Sequence, residues 1–219
     1  MKKEQLINTA LILGIITIVY NVAEGLASVF FGLDDETLVL LGFGLDSFVE
    51  VLSGIGILHM ITRMKKLDIS DVVSMDKFER QALRLTGTAF YILTIGLIIC
   101  SILNIINRSK PSTTLAGIII SLISILSMLI LMKWKLITGK KLCSKAIIAD
   151  ANCTRTCFYL SFILLLSSAL YELFNIAWFD VAGSIGIAFF AFSEGKESFE
   201  KAKRKSFPLR QVVKEKLLH

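Results

Sequence analysis

Apolar residues in this chain gather into long runs separated by short charged segments, without the strict alternation of strands or the one-sided stripe of a soluble helix. The runs span about Leu6 to Phe31, Thr37 to Ile61, Phe78 to Asn107, Leu115 to Trp134, Ala146 to Leu173 and Ala177 to Phe192. A soluble core explains apolar runs of roughly 10–14 residues, but not repeated runs of about 20. The pattern predicts an all-α membrane protein with six transmembrane helices, multi-pass in the cell membrane and surrounded by the lipid bilayer. Residues 1–193 form the six-span domain, and residues 194–219 a basic tail. The segment from Arg63 to Lys77 reads as a loop. In the tail, Leu209, Val212, Val213, Leu217 and Leu218 would share one face of a surface helix.

Charge placement sets the expected topology. Of 24 Lys and Arg, only Arg108 and Lys110 fall on the connections opposite the termini, and Arg155 lies within a span. The positive-inside rule therefore puts both termini in the cytoplasm. The net charge of +6 thereby follows from topology; no nucleic-acid motif accompanies it, and no nucleic-acid partner is expected. The four cysteines, Cys100, Cys143, Cys153 and Cys157, are not spaced as a secreted disulfide framework, and Cys100 reads as a packing residue. The first apolar run is longer than a signal peptide's and reads as a retained helix.

Against this background the intramembrane polar residues stand out. Asp46 and Glu50 lie four apart in the second span, on one helix face about one turn (~6 Å) from each other. A carboxylate in hydrocarbon costs roughly 2.5–3.5 kcal/mol, so two on one turn need a reason: a polar cation, or a buried hydrogen-bond cluster between helices. Asn21 and Glu24 share a face of the first span, where Gly25, Ala27 and Ser28 permit close approach of a second helix. The fifth span opens with Asp150-Ala151-Asn152-Cys153-Thr154-Arg155-Thr156-Cys157. Asp150 shares the cysteine face, and Arg155 points away from it. In the sixth span, Ala182 with Gly186 and Ser184 with Ala188 have close-packing spacing. Asp34 or Asp35 would cap the second helix, or form an acidic collar that draws cations. His59 reads as an interfacial residue, with a ligand role second. The fourth span, to Trp134, shows no charge before Lys133 in its last turn, and Lys135 falls to the basic loop beyond it.

Spans two and five run antiparallel in this topology. At about 1.5 Å per residue, Glu50 then matches Cys153 in depth and Asp46 matches Cys157, both pairs near the midplane where transporters keep their sites. Two oxygens and two sulfurs make a tetrahedral set acceptable to Zn2+, and the sulfurs would also suit Cd2+ or another soft divalent metal. Four ionised ligands around one divalent ion leave excess negative charge. A proton must therefore stay on the site or another cation must help, which couples metal binding to proton release. The plainer alternatives are cysteines that only pack, an Asp46/Glu50 hydrogen-bond cluster, and an Asp150 that favours the helix dipole.

At these residues the chain resembles the cation diffusion facilitator superfamily, and within it the short bacterial members that lack the soluble C-terminal domain. The carriers are Glu24-Gly25, Gly42-Phe43-Gly44-Leu45-Asp46-Ser47-Phe48-Val49-Glu50, Glu79-Arg80-Gln81-Ala82-Leu83-Arg84-Leu85, Ala149-Asp150-Ala151, Cys157-Phe158-Tyr159-Leu160-Ser161, Trp178-Phe179-Asp180 and Glu194-Gly195. The resemblance implies a proton-driven exporter of divalent metal that works as a homodimer by alternating access. Its site takes two ligands from span two and two from span five, which fall on Asp46, Glu50, Cys153 and Cys157. The family's pairs are typically His or Asp, so the two cysteines depart from its pattern. Glu24 and Asp150 are accessory candidates, as ligands or proton carriers. The expected activity is efflux of a divalent metal, Zn2+ first. A membrane protein that binds metal and regulates a partner without transport is the rival, and a carrier of another small cation through Asp46, Glu50 and Glu24 is a third reading. No Ser/His dyad, protease signature or nucleotide loop points to an enzyme.

Overall fold

The computed structural model describes residues 3–66, 72–107, 110–142 and 145–203. Among them the chain forms six α-helices and no strand: α1 (Lys3–Asp34), α2 (Leu38–Lys66), α3 (Val72–Asn107), α4 (Leu115–Lys141), α5 (Lys145–Phe174) and α6 (Trp178–Lys203). Helix α1 packs along α2, α4 along α5, and α3 along α6; α2 also touches α3, α5 and α6 and so lies at the centre.

The helices mix apolar and polar residues on their buried faces and are apolar outside. On α1 the buried positions are Leu6, Ala10, Leu13, Thr17, Asn21, Glu24 and Ser28, spaced three or four apart, while Ile12, Ile16, Val19, Leu26 and Phe30 are exposed. On α4 the buried stripe is Gly117, Ser121, Ser124, Met128, Leu131, Lys135 and Thr138, and Leu122, Ile123, Leu126, Ile130 and Ile137 face out. Water would not tolerate so much exposed aliphatic surface, whereas lipid requires it. Among the described residues, five stretches are long and apolar enough to cross a membrane: Gln5–Asp34, Leu38–Gly56, Leu83–Asn107, Leu115–Lys141 and Cys153–Phe174. In α6, Asp180 and Glu194 bracket a shorter apolar segment. The protein has the helical, lipid-facing character that the apolar runs predict.

Small residues and hydroxyls hold the bundle together, as expected where lipid offers no hydrophobic drive between helices. Ser161 donates to Ser124 across α5 and α4 at 2.7 Å, and the hydroxyls of Ser101 and Ser184 meet across α3 and α6 at 2.8 Å. Gly25 lies against Phe48 and the Gly44 carbonyl, and a Cβ added at Gly44 would stand 2.8 Å from both the Ser28 Cβ and the Val29 nitrogen. Of the sixth-span pairs, Ser184 and Ala188 are buried, but Ala182 faces out; Gly183 takes the close contact, against Ser167 and Val39. Gly44→Ala should therefore push α1 from α2 and cost about 1–3 kcal/mol. Gly96→Ala, with nothing within 4 Å, should leave stability unchanged or raise it by up to about 1 kcal/mol. Thermal unfolding of the two variants in detergent checks the contrast.

One end of the bundle is tied by acids reaching across helices. The Leu38 and Val39 amides at the start of α2 donate to the two Asp180 carboxylate oxygens at 2.9 and 3.2 Å. The cap expected from Asp34 or Asp35 comes instead from Asp180 of α6, and the turn before α2 passes through Glu36 with a left-handed φ of 55°. Glu172 likewise accepts from the Thr114 amide and hydroxyl at the start of α4, at 3.1 and 3.0 Å.

Several boundaries differ from the sequence reading. Helix α2 continues to Lys66 and α3 begins at Val72, so much of the expected loop between Arg63 and Lys77 is helical. Helix α6 runs unbroken past residue 193 to Lys203. Cys100 is exposed on α3, not packed inside. The tail positions Leu209, Val212, Val213, Leu217 and Leu218 lie outside the described residues.

Candidate functional site

The buried face of α2 carries Phe43, Asp46 and Ser47, and Glu50 follows one turn beyond Asp46. Because α2 is central, this face meets side chains from its neighbours around one cavity of about 50 Å³. Asp46, Glu50, Cys153 and Glu194 line it, and so do Thr17, Thr86, Thr154, Thr156 and Ser198, beside Leu83 and Phe90. One water needs roughly 10–15 Å³ by this measure, so the space admits a few waters or a partly hydrated ion.

The two α2 carboxylates have different surroundings. Glu50 accepts from the Asn21 side-chain amide at 2.9 Å and from the Cys157 thiol. Asp46 is 3% exposed, and its Oδ1 is buried without a hydrogen-bond partner. Unpaired buried carboxylate oxygens are costly and rare, so this one marks the point where the cavity lacks a positive or proton-bearing group.

The residues expected to act together are gathered, but not as the depth argument arranged them. Cys157, 3% exposed, is bonded to Glu50, where depth matching paired Glu50 with Cys153. The ends of the apolar runs, from which the depths are counted, do not define a shared plane. A stagger of one turn between α2 and α5 moves the register by about 6 Å. Cys153 is half-buried at the cavity wall. Glu24 lies outside the cavity lining, where it accepts from the Tyr20 and Ser47 hydroxyls at 3.0 and 3.2 Å. Asp150 belongs to α5, and its side chain lies outside the described residues. Arg155 is exposed, away from the cysteines as expected. His59 is half-buried and does not line the cavity. Among the described residues, no group of three or more His, Cys, Asp and Glu side chains is arranged to hold a metal ion. Asp46, Glu50, Cys153 and Cys157 thus surround one region without converging on one point.

Two residues of this region are not among the expected site residues. Glu194, a carrier of the resemblance at the start of the expected tail, lines the cavity and accepts from the Thr156 hydroxyl at 2.9 Å. Its signal was the small-residue period Ala188, Ala191, Gly195, Ser198 and Ala202, which continues the buried face beyond the last apolar residue. Lys135, assigned to a loop, is 1% exposed inside α4 and donates to Thr154 Oγ1 at 3.0 Å. It falls in phase with Gly117, Ser121, Ser124, Met128 and Leu131, a stripe that was readable beforehand.

The acidic turn between α1 and α2 stands apart from the cavity lining. There, burial and then the neighbouring Asp34 charge raise the Asp35 carboxyl above its usual range.

Together these groups form a small cavity with three carboxylates in its wall, inside a bundle with a lipid-facing exterior. Such a cavity can exchange a proton or a cation at Asp46 and Glu50. Compared with known proteins, the chain matches no family model and no curated protein.

Proposed function

We propose that this chain exports a divalent metal cation, Zn2+ before Cd2+ or another divalent ion, across the cell membrane in exchange for protons. This is the activity that the resemblance to the cation diffusion facilitator superfamily implies, and membership of that superfamily is part of the proposal. So are the cytoplasmic termini, the homodimer and alternating access. The observation that carries the reading is Asp46: a buried carboxylate with one oxygen unpartnered, beside a cavity large enough for an ion. Near it, Glu50 already shares its oxygens with Asn21 and Cys157. An arriving cation would take the open Asp46 oxygen first and then draw Glu50 from the thiol, with Cys153 and Cys157 closing around it. Released protons would leave the site as the metal enters.

The lining also favours a second reading. Its hydroxyls and carboxylates are oxygen donors, which suit harder cations than sulfur does. On that reading Asp46, Glu50 and Glu24 carry the ion and the cysteines only pack.

Reconstitution into liposomes with an imposed pH gradient tests the proposal on a panel of Zn2+, Cd2+, Mn2+, Mg2+ and Na+. The expected result is Zn2+ flux above that of protein-free liposomes, with protons moving the opposite way. Tight Zn2+ binding without flux would favour a regulatory metal-binding protein, and neither binding nor flux for any ion would end the reading.

A further inference from the structure

The region holds more acids than the functional reading uses, and one buried cation. Asp46, Glu50 and Glu194 line the cavity, and Glu24 lies behind Ser47. Among the described residues, Lys135 is the only Lys or Arg that is buried. Its ammonium is held by Thr154 Oγ1, and Thr154 itself lines the cavity next to Cys153 in sequence. An ammonium inside a lipid-facing bundle is expensive unless paired with negative charge. A lysine suits such a role because its point charge sits on a four-carbon stem with free rotation, so the ammonium moves without disturbing the helix.

We propose that Lys135 is a tethered counter-cation: its ammonium balances the cavity carboxylates in the empty protein and competes with the incoming cation for them. In the empty protein Lys135 stands on Thr154 at the cavity edge; an entering cation takes over the carboxylates and the ammonium moves back from them, and when the cation leaves it returns, so the site never presents bare carboxylates to a low dielectric. This inference rests on the cation-binding reading above. It adds that release as well as uptake is assisted by a residue of the protein, one that is not a ligand.

The test compares Zn2+ binding by calorimetry in wild type, Lys135→Met and Lys135→Arg. Removing the competitor should tighten binding roughly tenfold or more, while the arginine variant stays near wild type. Unchanged or weaker binding in a folded Lys135→Met overturns the proposal. A thermal-melting cycle with Glu50→Gln supplies a second readout that needs no metal. Each single change should lower Tm, and the double variant Lys135→Met/Glu50→Gln should lose less than the sum of the two. Strictly additive losses assign Lys135 to packing and overturn it. If wild type binds no cation, the functional reading and the competition fail together, while the cycle still decides whether Lys135 balances Glu50.

Discussion

Asp46→Asn should reduce Zn2+ flux in proteoliposomes to the protein-free background while leaving the protein folded. The substitution keeps the size and shape of the side chain and removes only its charge. Asp46 Oδ1 has no hydrogen-bond partner to lose, and an amide in this environment is cheaper to bury than a carboxylate by as much as several kcal/mol. Its melting temperature should therefore equal or exceed that of wild type. Glu50→Gln is less clean, because Glu50 accepts from both Asn21 and Cys157. A glutamine has one oxygen, so one of those donors loses its acceptor and stability falls along with transport. Loss of flux at undiminished stability is thus the signature for Asp46. Flux within about twofold of wild type would remove it from the site, since each tenfold in rate corresponds to only about 1.4 kcal/mol.

What the sequence could and could not disclose follows from what hydrophobicity reports. Apolar runs report contact with lipid, so the lipid-crossing parts of the helices and the paired acids on α2 were readable from spacing alone. Where a helix leaves lipid, the same signal stops although the helix does not. Lys66 and Val72 therefore lie on helices within a stretch that reads as a loop, and Glu194 lies on a helix within a stretch that reads as a tail. The buried charge at Lys135 was hidden for the same reason: it follows Trp134 at the apparent end of an apolar run, although the Gly/Ser stripe of α4 points it inward. Two other features depend on relations between distant segments. The cap of α2 comes from Asp180, about 140 residues away in sequence, and the pairing of Glu50 with Cys157 depends on the stagger of α2 against α5. Local sequence carries neither. The carboxylates expected to act together do meet at one cavity, because their spacing on α2 is a local property that the fold preserves.

The sulfur question has the second large expected effect. In Cys153→Ser/Cys157→Ser, Cd2+ transport should fall about tenfold or more relative to Zn2+ transport, because serine keeps an oxygen donor but loses the soft thiolate that Cd2+ prefers. Geometry argues that this exchange leaves the fold intact. A serine at position 157 can still donate to Glu50 as the thiol does, and Ser161, one turn on, already donates back to the Cys157 carbonyl at 2.9 Å. The cost is confined to the apolar contact of Cys157 with Leu13, Met128 and Leu131, about 1 kcal/mol for the smaller, more polar side chain. The single variants divide the effect. Cys153 stands half-buried at the cavity wall, whereas Cys157 is engaged by Glu50. Cys153→Ser alone should therefore alter the initial selectivity, and Cys157→Ser should act only if Glu50 releases the thiol as the cation enters. Transport assays of all three variants with both ions, at matched protein incorporation, read these outcomes. An identical Cd2+/Zn2+ ratio in the double variant and wild type would mean that the cation passes on oxygen ligands alone. Asp46 and Glu50 would then remain as the carriers, and the two cysteines of α5 would be packing residues that happen to face them.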